Sequence, residues 1–265
     1  MTDAGLAADR ISFAYGSRVR GGREARTEVL DDVSAVIPRG GLVGILGPNG
    51  SGKTTLLRLL AGLLRPSSGR IFLDGVDLHT IPRATLARRM AMVPQETQLA
   101  FDYTVLEMAT MGRYPHLGAF EIEGPEDLGV AREALTATGT RHLASRAFNT
   151  LSGGEKQRVV IAGALAQLAE RGREGFSRAP SENPSRPLSD TLLLDEPTAS
   201  LDLAYQLEIR SILQKLNRER GLTIVVSTHD LNFASGLCRD LILLHQGRVL
   251  AAGATESMLE PALIR

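Results

Sequence analysis

The chain has 265 residues, enough for one large α/β domain or two small ones. Thirty basic residues balance thirty acidic ones, tryptophan is absent and aromatics are sparse, which argues against bulk attraction to nucleic acid or anionic lipid and against a base-stacking surface. The single cysteine, Cys238, permits no internal disulfide and sits in the apolar stretch Phe233-Ala-Ser-Gly-Leu-Cys238, as suits a small buried hydrophobe.

The first ten residues lack an apolar core of signal-peptide length, and no apolar run reaches the roughly 18 residues of a membrane span. The best candidate, 56–64, is short and interrupted by Arg58. Any pore this protein serves is therefore expected on another polypeptide. Residues 11–14 read as a strand, and 28–37 as another that Pro38-Arg-Gly-Gly41 ends. The Gly- and Arg-rich stretch 17–27 between them reads as a flexible, solvated loop, although its four arginines could also touch phosphate or a partner. The apolar run 42–46 predicts a buried parallel strand, and 53–64 a helix stopped by Arg65-Pro-Ser-Ser-Gly69.

Strands are expected at 71–73 and 90–93. Residues 96–150 have few β-branched runs and helix-like stretches at 104–111 and 126–138, so a helical subdomain inserted into the α/β core is expected there. A long helix follows over 153–169. The Pro, Ser, Gly and charged residues of 171–187 cannot bury a core and predict a mobile surface excursion. Residues 192–194 and 223–226 are candidate buried strands. Between them 203–218 is an amphipathic helix with Leu203, Leu207, Ile212, Leu213 and Leu216 on one side. Strands at 241–244 and 248–252 and a short terminal helix complete the chain. The alternation predicts an α/β fold with a mostly parallel sheet, and the lack of an internal repeat predicts one domain over 7–260.

Gly47-Pro48-Asn49-Gly50-Ser51-Gly52-Lys53-Thr54-Thr55 matches G-x-x-x-x-G-K-[ST]. Its glycines let successive N–H groups converge on phosphate oxygens, and the loop opens a helix whose N-terminus favours an anion. Lys53 can reach the β- and γ-phosphates, and the Thr54 hydroxyl can hold Mg²⁺. Asp195 and Glu196 follow a buried-strand run, where acidic side chains of a parallel sheet enter the ligand crevice. Asp195 would hold Mg²⁺ through water, and Glu196 would orient and deprotonate an attacking water. Alone, such a pair also reads as a helix cap. Leu151-Ser152-Gly153-Gly154-Glu155 opens a helix and, alone, reads as a loop-to-helix cap.

In this order the three blocks resemble the ATP-binding subunit of an ATP-binding-cassette (ABC) transporter. The resemblance covers about residues 10–253, and the excursions 17–27 and 171–187 depart from it without touching a catalytic block. It implies a P-loop core with an N-terminal antiparallel β-subdomain and an inserted helical subdomain. It makes Ser152, Gly153 and Gly154 the signature that faces the γ-phosphate held by a second copy of the chain, so that two copies sandwich two ATP. It also marks Tyr15 as the adenine-stacking aromatic, Gln95 as the glutamine that touches Mg²⁺, His229 as the histidine on the γ-phosphate and Asp202 as a residue crossing the dimer interface. Without the resemblance, Tyr15 reads as a buried strand tyrosine and His229 equally as a satisfied core histidine.

Met111-Gly-Arg-Tyr-Pro-His116 looks like the subfamily that energises uptake of iron–siderophore complexes, haem and cobalamin, with ferric siderophore the leading cargo. Taken alone it is a helix end stopped by Pro115, and His116 has no partner at metal-ligand spacing. The resemblance implies a separate permease, contacted near this segment, and indirectly a substrate-binding protein. It implies a peripheral position on the cytoplasmic face of the inner or plasma membrane and no nucleic-acid partner. The rivals are a soluble ABC ATPase without a permease, which usually needs two cassettes or a long coiled coil, and the ATPase of an exporter with a separate membrane subunit.

Overall fold

The computed structural model describes residues 4–18, 24–97, 101–170, 190–199 and 201–259. In chain order it has strands β1 (Ala4–Arg18), β2 (Glu24–Pro38) and β3 (Leu42–Leu46), helix α1 (Lys53–Leu60), and strands β4 (Ser68–Leu73) and β5 (Val76–Asp77). Helix α2 (Arg83–Ala87), strand β6 (Met90–Val93), and helices α3 (Val105–Thr110), α4 (Pro125–Ala137) and α5 (Gly153–Leu168) follow. Then come strand β7 (Thr191–Asp195), helix α6 (Leu203–Arg220), strand β8 (Thr223–Thr228), helix α7 (Leu231–Leu237), strands β9 (Asp240–His245) and β10 (Arg248–Ala254), and helix α8 (Thr255–Met258). The chain divides into two units, Met1–Ile81 with Thr223–Arg265, and Pro82–Leu222. The stretch expected to be a helical insertion, 96–150, lies in the second unit, which also contains β6 and β7.

The first unit holds an antiparallel sheet in the order β2-β1-β4-β5. It also holds β10-β9-β3-β8, in which β3 runs parallel to both β8 and β9. Parallel strands covered on both faces need continuous apolar sequence, and Leu42, Val43 and Ile45 of β3 and Ile224, Val225 and Val226 of β8 are all buried. Helix α1 buries Leu56, Leu57, Leu59 and Leu60. Cys238, after α7, is buried as its sequence implied, and burial pushes its thiol up to about 12.

Part of the expected loop over 17–27 is strand in the structure. Strands β1 and β2 continue pairing through Tyr15↔Thr27, Gly16↔Arg26, Ser17↔Ala25 and Arg18↔Glu24. Antiparallel neighbours satisfy each other's backbone groups whatever their side chains, so the ladder overrides a loop-like composition. Residues 19–23 lie outside the described residues, as does the expected excursion over 171–187. On either side of that excursion stand Glu170 and Asp190, each 2.9 Å from the guanidinium of Arg89.

The second unit pairs β6 and β7 in parallel and packs α5 against α3, α4 and α6. A Cβ on Gly112 would lie 2.1 Å from the Gly163 carbonyl oxygen, so the 111–116 turn approaches α5 backbone to backbone. This contact places Arg113 and His116 on the end of α5. The Arg113 Nη1 donates to the carbonyls of Ala166 and Ala169, and its Nε pairs with Asp127 at 3.1 Å. Arg113 and Asp127 are 0% and 1% exposed. His116 Nε2 lies 2.7 Å from the Gln167 carbonyl, which can only accept, so that nitrogen carries the proton. Burial holds the His116 imidazole below its ordinary value. Three carbonyls at the C-terminal end of α5, which the helix cannot satisfy itself, are thus taken up by one turn.

Helix α6 corrects one expectation. Ile209, Leu213 and Leu216 face the core, Ile212 is half-buried, and Leu203 and Leu207 are 69% and 44% exposed. The four-residue step from Leu203 to Leu207 continues to Ser211, on a different stripe from Ile209 and Leu213.

Removing one partner of a buried ion pair is strongly destabilising. Arg113→Met is expected to cost about 3–5 kcal/mol in urea unfolding at pH 7. A loss under about 1 kcal/mol would show that the Asp127 contact is dispensable.

Candidate functional site

In the first unit, residues 47–55 link β3 to α1. A Cβ on Gly47 would sit 2.2 Å from the Leu244 carbonyl oxygen, while Gly50 and Gly52 have φ of +79° and +104°. Only glycine meets both demands without strain. Gly52 stands at the N-cap of α1 and has no side chain to cap it, and a helix N-terminus of this kind favours an anion. Lys53 is buried, and its Nζ donates to the carbonyls of Gly47 at 2.9 Å and Pro48 at 3.1 Å. The buried Ser51 Oγ has no hydrogen-bond partner among the described residues. Pro48, Asn49 and Gly50 are exposed, Thr54 is half-buried and Thr55 is buried.

Tyr15 is 40% exposed, unlike a core strand tyrosine. Its hydroxyl is 3.5 Å from Thr55 Oγ1, and its ring meets Phe13 edge-on, with centroids 4.8 Å apart. His229 follows β8. Because Leu46 and Thr228 are register partners, Gly47 and His229 leave the C-terminal ends of neighbouring parallel strands. His229 is exposed, and the next residue, Asp230, caps α7 through the N–H groups of Asn232 and Phe233. Tyr15, the loop and His229 thus belong to one unit.

The second unit repeats that geometry. Val93 pairs with Leu194, so Gln95 and Glu196 follow the ends of neighbouring parallel strands. Asp195 is buried at the last position of β7. Glu196 has φ of +44°, a left-handed conformation that is uncommon for a side-chain-bearing residue. Gln95, Gly153, Lys156, Gln157 and Glu196 line a cleft of about 290 Å³, together with the apolar Phe148 and Leu201. No sequence pattern marked Phe148 or Lys156 for this cleft. The Lys156 ammonium stands 6.0 Å from the Phe148 ring centroid.

Ser152 caps α5 reciprocally with Glu155. Its Oγ accepts from the Glu155 N–H at 3.3 Å, while Glu155 Oε2 accepts from the Ser152 N–H at 2.8 Å and from its hydroxyl at 3.0 Å. These contacts, the Ser152 N–H above all, hold the Glu155 carboxyl below its ordinary value of 4.5. Asp202 caps α6 by accepting from the Tyr205 N–H at 3.1 Å. The 111–116 segment presents Tyr114 to solvent, 57% exposed, whereas Arg113 and His116 are turned inward onto α5.

The family described as "ABC transporter" matches residues 30–170, more than half of the chain. The chain belongs to that family. The cassette is 40% identical over 241 residues to the cobalamin import ATP-binding protein BtuD of Halobacterium salinarum. That match covers 91% of this chain and 55% of the relative, so the cassette spans about half of that protein's length. It is 35% identical over 260 residues to the iron(3+)-hydroxamate import ATP-binding protein FhuC of Bacillus subtilis, covering 98% of this chain and 86% of that one. Among solved structures it resembles the ATP-binding cassette MJ0796, a dimer in a post-hydrolysis state bound to ADP and Pi. There the TM-score is 0.74 at 28% identity, covering 94% of this chain and 98% of the other. The α/β fold with its antiparallel N-terminal sheet is that of an ABC ATPase. Among the described residues no helix is long and apolar enough to cross a membrane.

A carboxyl whose folded-state value is depressed adds stability above its unfolded value, and that stability is lost as pH falls through the folded one. Wild type is therefore expected to melt higher than Glu155→Gln at pH 6, with the gap closing as pH falls below about 4.5. Melting curves at a series of pH values check this. A constant gap would mean that the charge on Glu155 contributes nothing to the cap.

Proposed function

We propose that this chain binds and hydrolyses ATP and energises import of an iron complex through a separate transmembrane permease. The reading is carried by one observation above the others: Glu196, Gln95 and the start of the signature helix open on a single cleft. The loop of the first unit supports a polyphosphate site by its backbone, with glycine where a Cβ would collide, glycine at the N-cap of α1 and a buried lysine. Lys53 compensates charge on the β- and γ-phosphates, and Tyr15 offers an exposed ring to the adenine.

Thr54, Asp195 and Gln95 are all oxygen donors, the type that suits Mg²⁺, and are assigned to it. Mg²⁺ supplies neutralisation of the phosphate charge that builds up during transfer. Glu196 accepts the proton of the attacking water, and His229 orients that water against the γ-phosphate. The signature residues Ser152, Gly153 and Gly154, with Asp202, act on the ATP of a second copy, so the working form is a dimer. Closure of that dimer pulls on the permease, and hydrolysis reopens it.

Ferric siderophore is the proposed cargo, supported by the Met111–His116 segment and by the match to the hydroxamate-import relative. Haem and cobalamin are the other cargoes of that group. The cassette sits peripherally at the cytoplasmic face of the membrane, and a substrate-binding protein acts through the permease. None of these roles needs nucleic acid.

Glu196→Gln is expected to keep ATP affinity within about threefold and to lower turnover at least ~100-fold. Purified with MgATP from detergent-solubilised membranes of its host, that variant is expected to bring a multi-span permease in near-equal amount, read by mass spectrometry. Normal turnover would remove the role given to Glu196. Arrival with ribosomes or DNA instead of a permease would overturn the transport reading.

A further inference from the structure

Helices α5 and α6 begin beside each other, and each N-terminus carries a motif: Ser152 caps α5 and Asp202 caps α6. Three contacts join the two starts. A Cβ on Gly153 would lie 3.2 Å from Leu201 Cδ2. A Cβ on Gly154 would lie 2.2, 2.5 and 2.8 Å from Cδ1, Cγ and Cε1 of Tyr205. One turn further on, Arg158 Nη1 meets Glu208 Oε2 at 2.8 Å. That ion pair is half open to solvent on the Glu208 side, where such pairs contribute little. The ring on the glycine is the contact that leaves no slack. Gly154 is an ordinary helical residue and is absent from the glycines with positive φ. Backbone conformation therefore does not demand glycine at this position; the space filled by the Tyr205 ring does.

We propose that Tyr205 is a positioning residue for ATP turnover. Seated on Gly154, its ring fixes the start of α5 to the start of α6, so that Ser152 and Asp202 move as one rigid element. The absence of a side chain at Gly154 is then required by a contact inside its own subunit, while the part given above to Gly154 on the second copy's ATP falls to its backbone, which alanine keeps. This inference rests on the ATPase reading given above. Mechanically, a small displacement of a phosphate-facing group is costly in rate, which is why the fixing contact matters.

The test is a compensation experiment read by steady-state ATP turnover and by melting temperature. Gly154→Ala is expected to lower turnover on the order of 10–100-fold and to lower the melting temperature, because the methyl group and the ring cannot share the space. Tyr205→Ala alone is expected to lose roughly three- to tenfold in turnover. The double variant is expected to recover to the level of Tyr205→Ala in both measurements, whereas Gly154→Ala with Tyr205→Phe, which keeps the ring, is not. A double variant as inactive as Gly154→Ala would overturn the proposal, since the glycine would then serve something other than Tyr205. Full turnover in Gly154→Ala, full turnover in Tyr205→Ala, or rescue by phenylalanine would each do the same. If the wild type itself shows no turnover, the ATPase reading fails. The melting temperatures then still decide whether the ring and the glycine are coupled.

Discussion

Register between neighbouring parallel strands is the constraint from which the candidate site follows. In the first unit the pairing of Leu46 with Thr228 delivers the glycine-rich loop and His229 to the same strand ends. In the second, the pairing of Val93 with Leu194 does the same for Gln95 and Glu196. A slip of one residue would turn every side chain of a strand to the opposite face. The strands resist it because both faces are buried: β7 and β8 have no exposed position between them. The apolar strands are thus the reason the polar residues that follow them stand where they do.

Close backbone approach is the second constraint, and glycine meets it at several places. Gly47 faces the Leu244 carbonyl, Gly112 faces the Gly163 carbonyl, and Gly154 faces the Tyr205 ring. Each is a position where one methyl group would force elements apart, in an interior with few voids to absorb the shift. The two ends of α5 show what this achieves. Its start is held by a capping box and by Tyr205, and its end by Arg113 and His116, so the signature sits on a helix that is fastened at both termini.

Much of this was legible in the sequence because the relevant signals are local. The loop over 47–55 announces its own backbone, and the apolar runs before Gly47 and Asp195 gave strands β3 and β7 nearly to the residue. What was not legible depends on distant partners. The composition of 17–27 reads as a loop, but cross-strand pairing holds residues 17–18 and 24–27 in β1 and β2. Leu203 and Leu207 lie off the buried face of α6, and periodicity alone cannot choose between two apolar stripes. The 111–116 segment was singled out by its resemblance. Its resemblance could not show that Arg113 is fully buried against Asp127, because Asp127 lies on another helix and nothing in either stretch names the other. Tyr205 gave no signal at all; its meaning comes from the glycine it covers.

The central claim is that the backbone of residues 47–55 cradles the phosphates of ATP. Amide hydrogen exchange of the wild-type protein, with and without saturating MgATP, tests it most directly. The account predicts that exchange slows at the N–H groups from Asn49 to Thr55 when nucleotide is added. Unchanged exchange across that loop, with nucleotide shown to be bound, would contradict it.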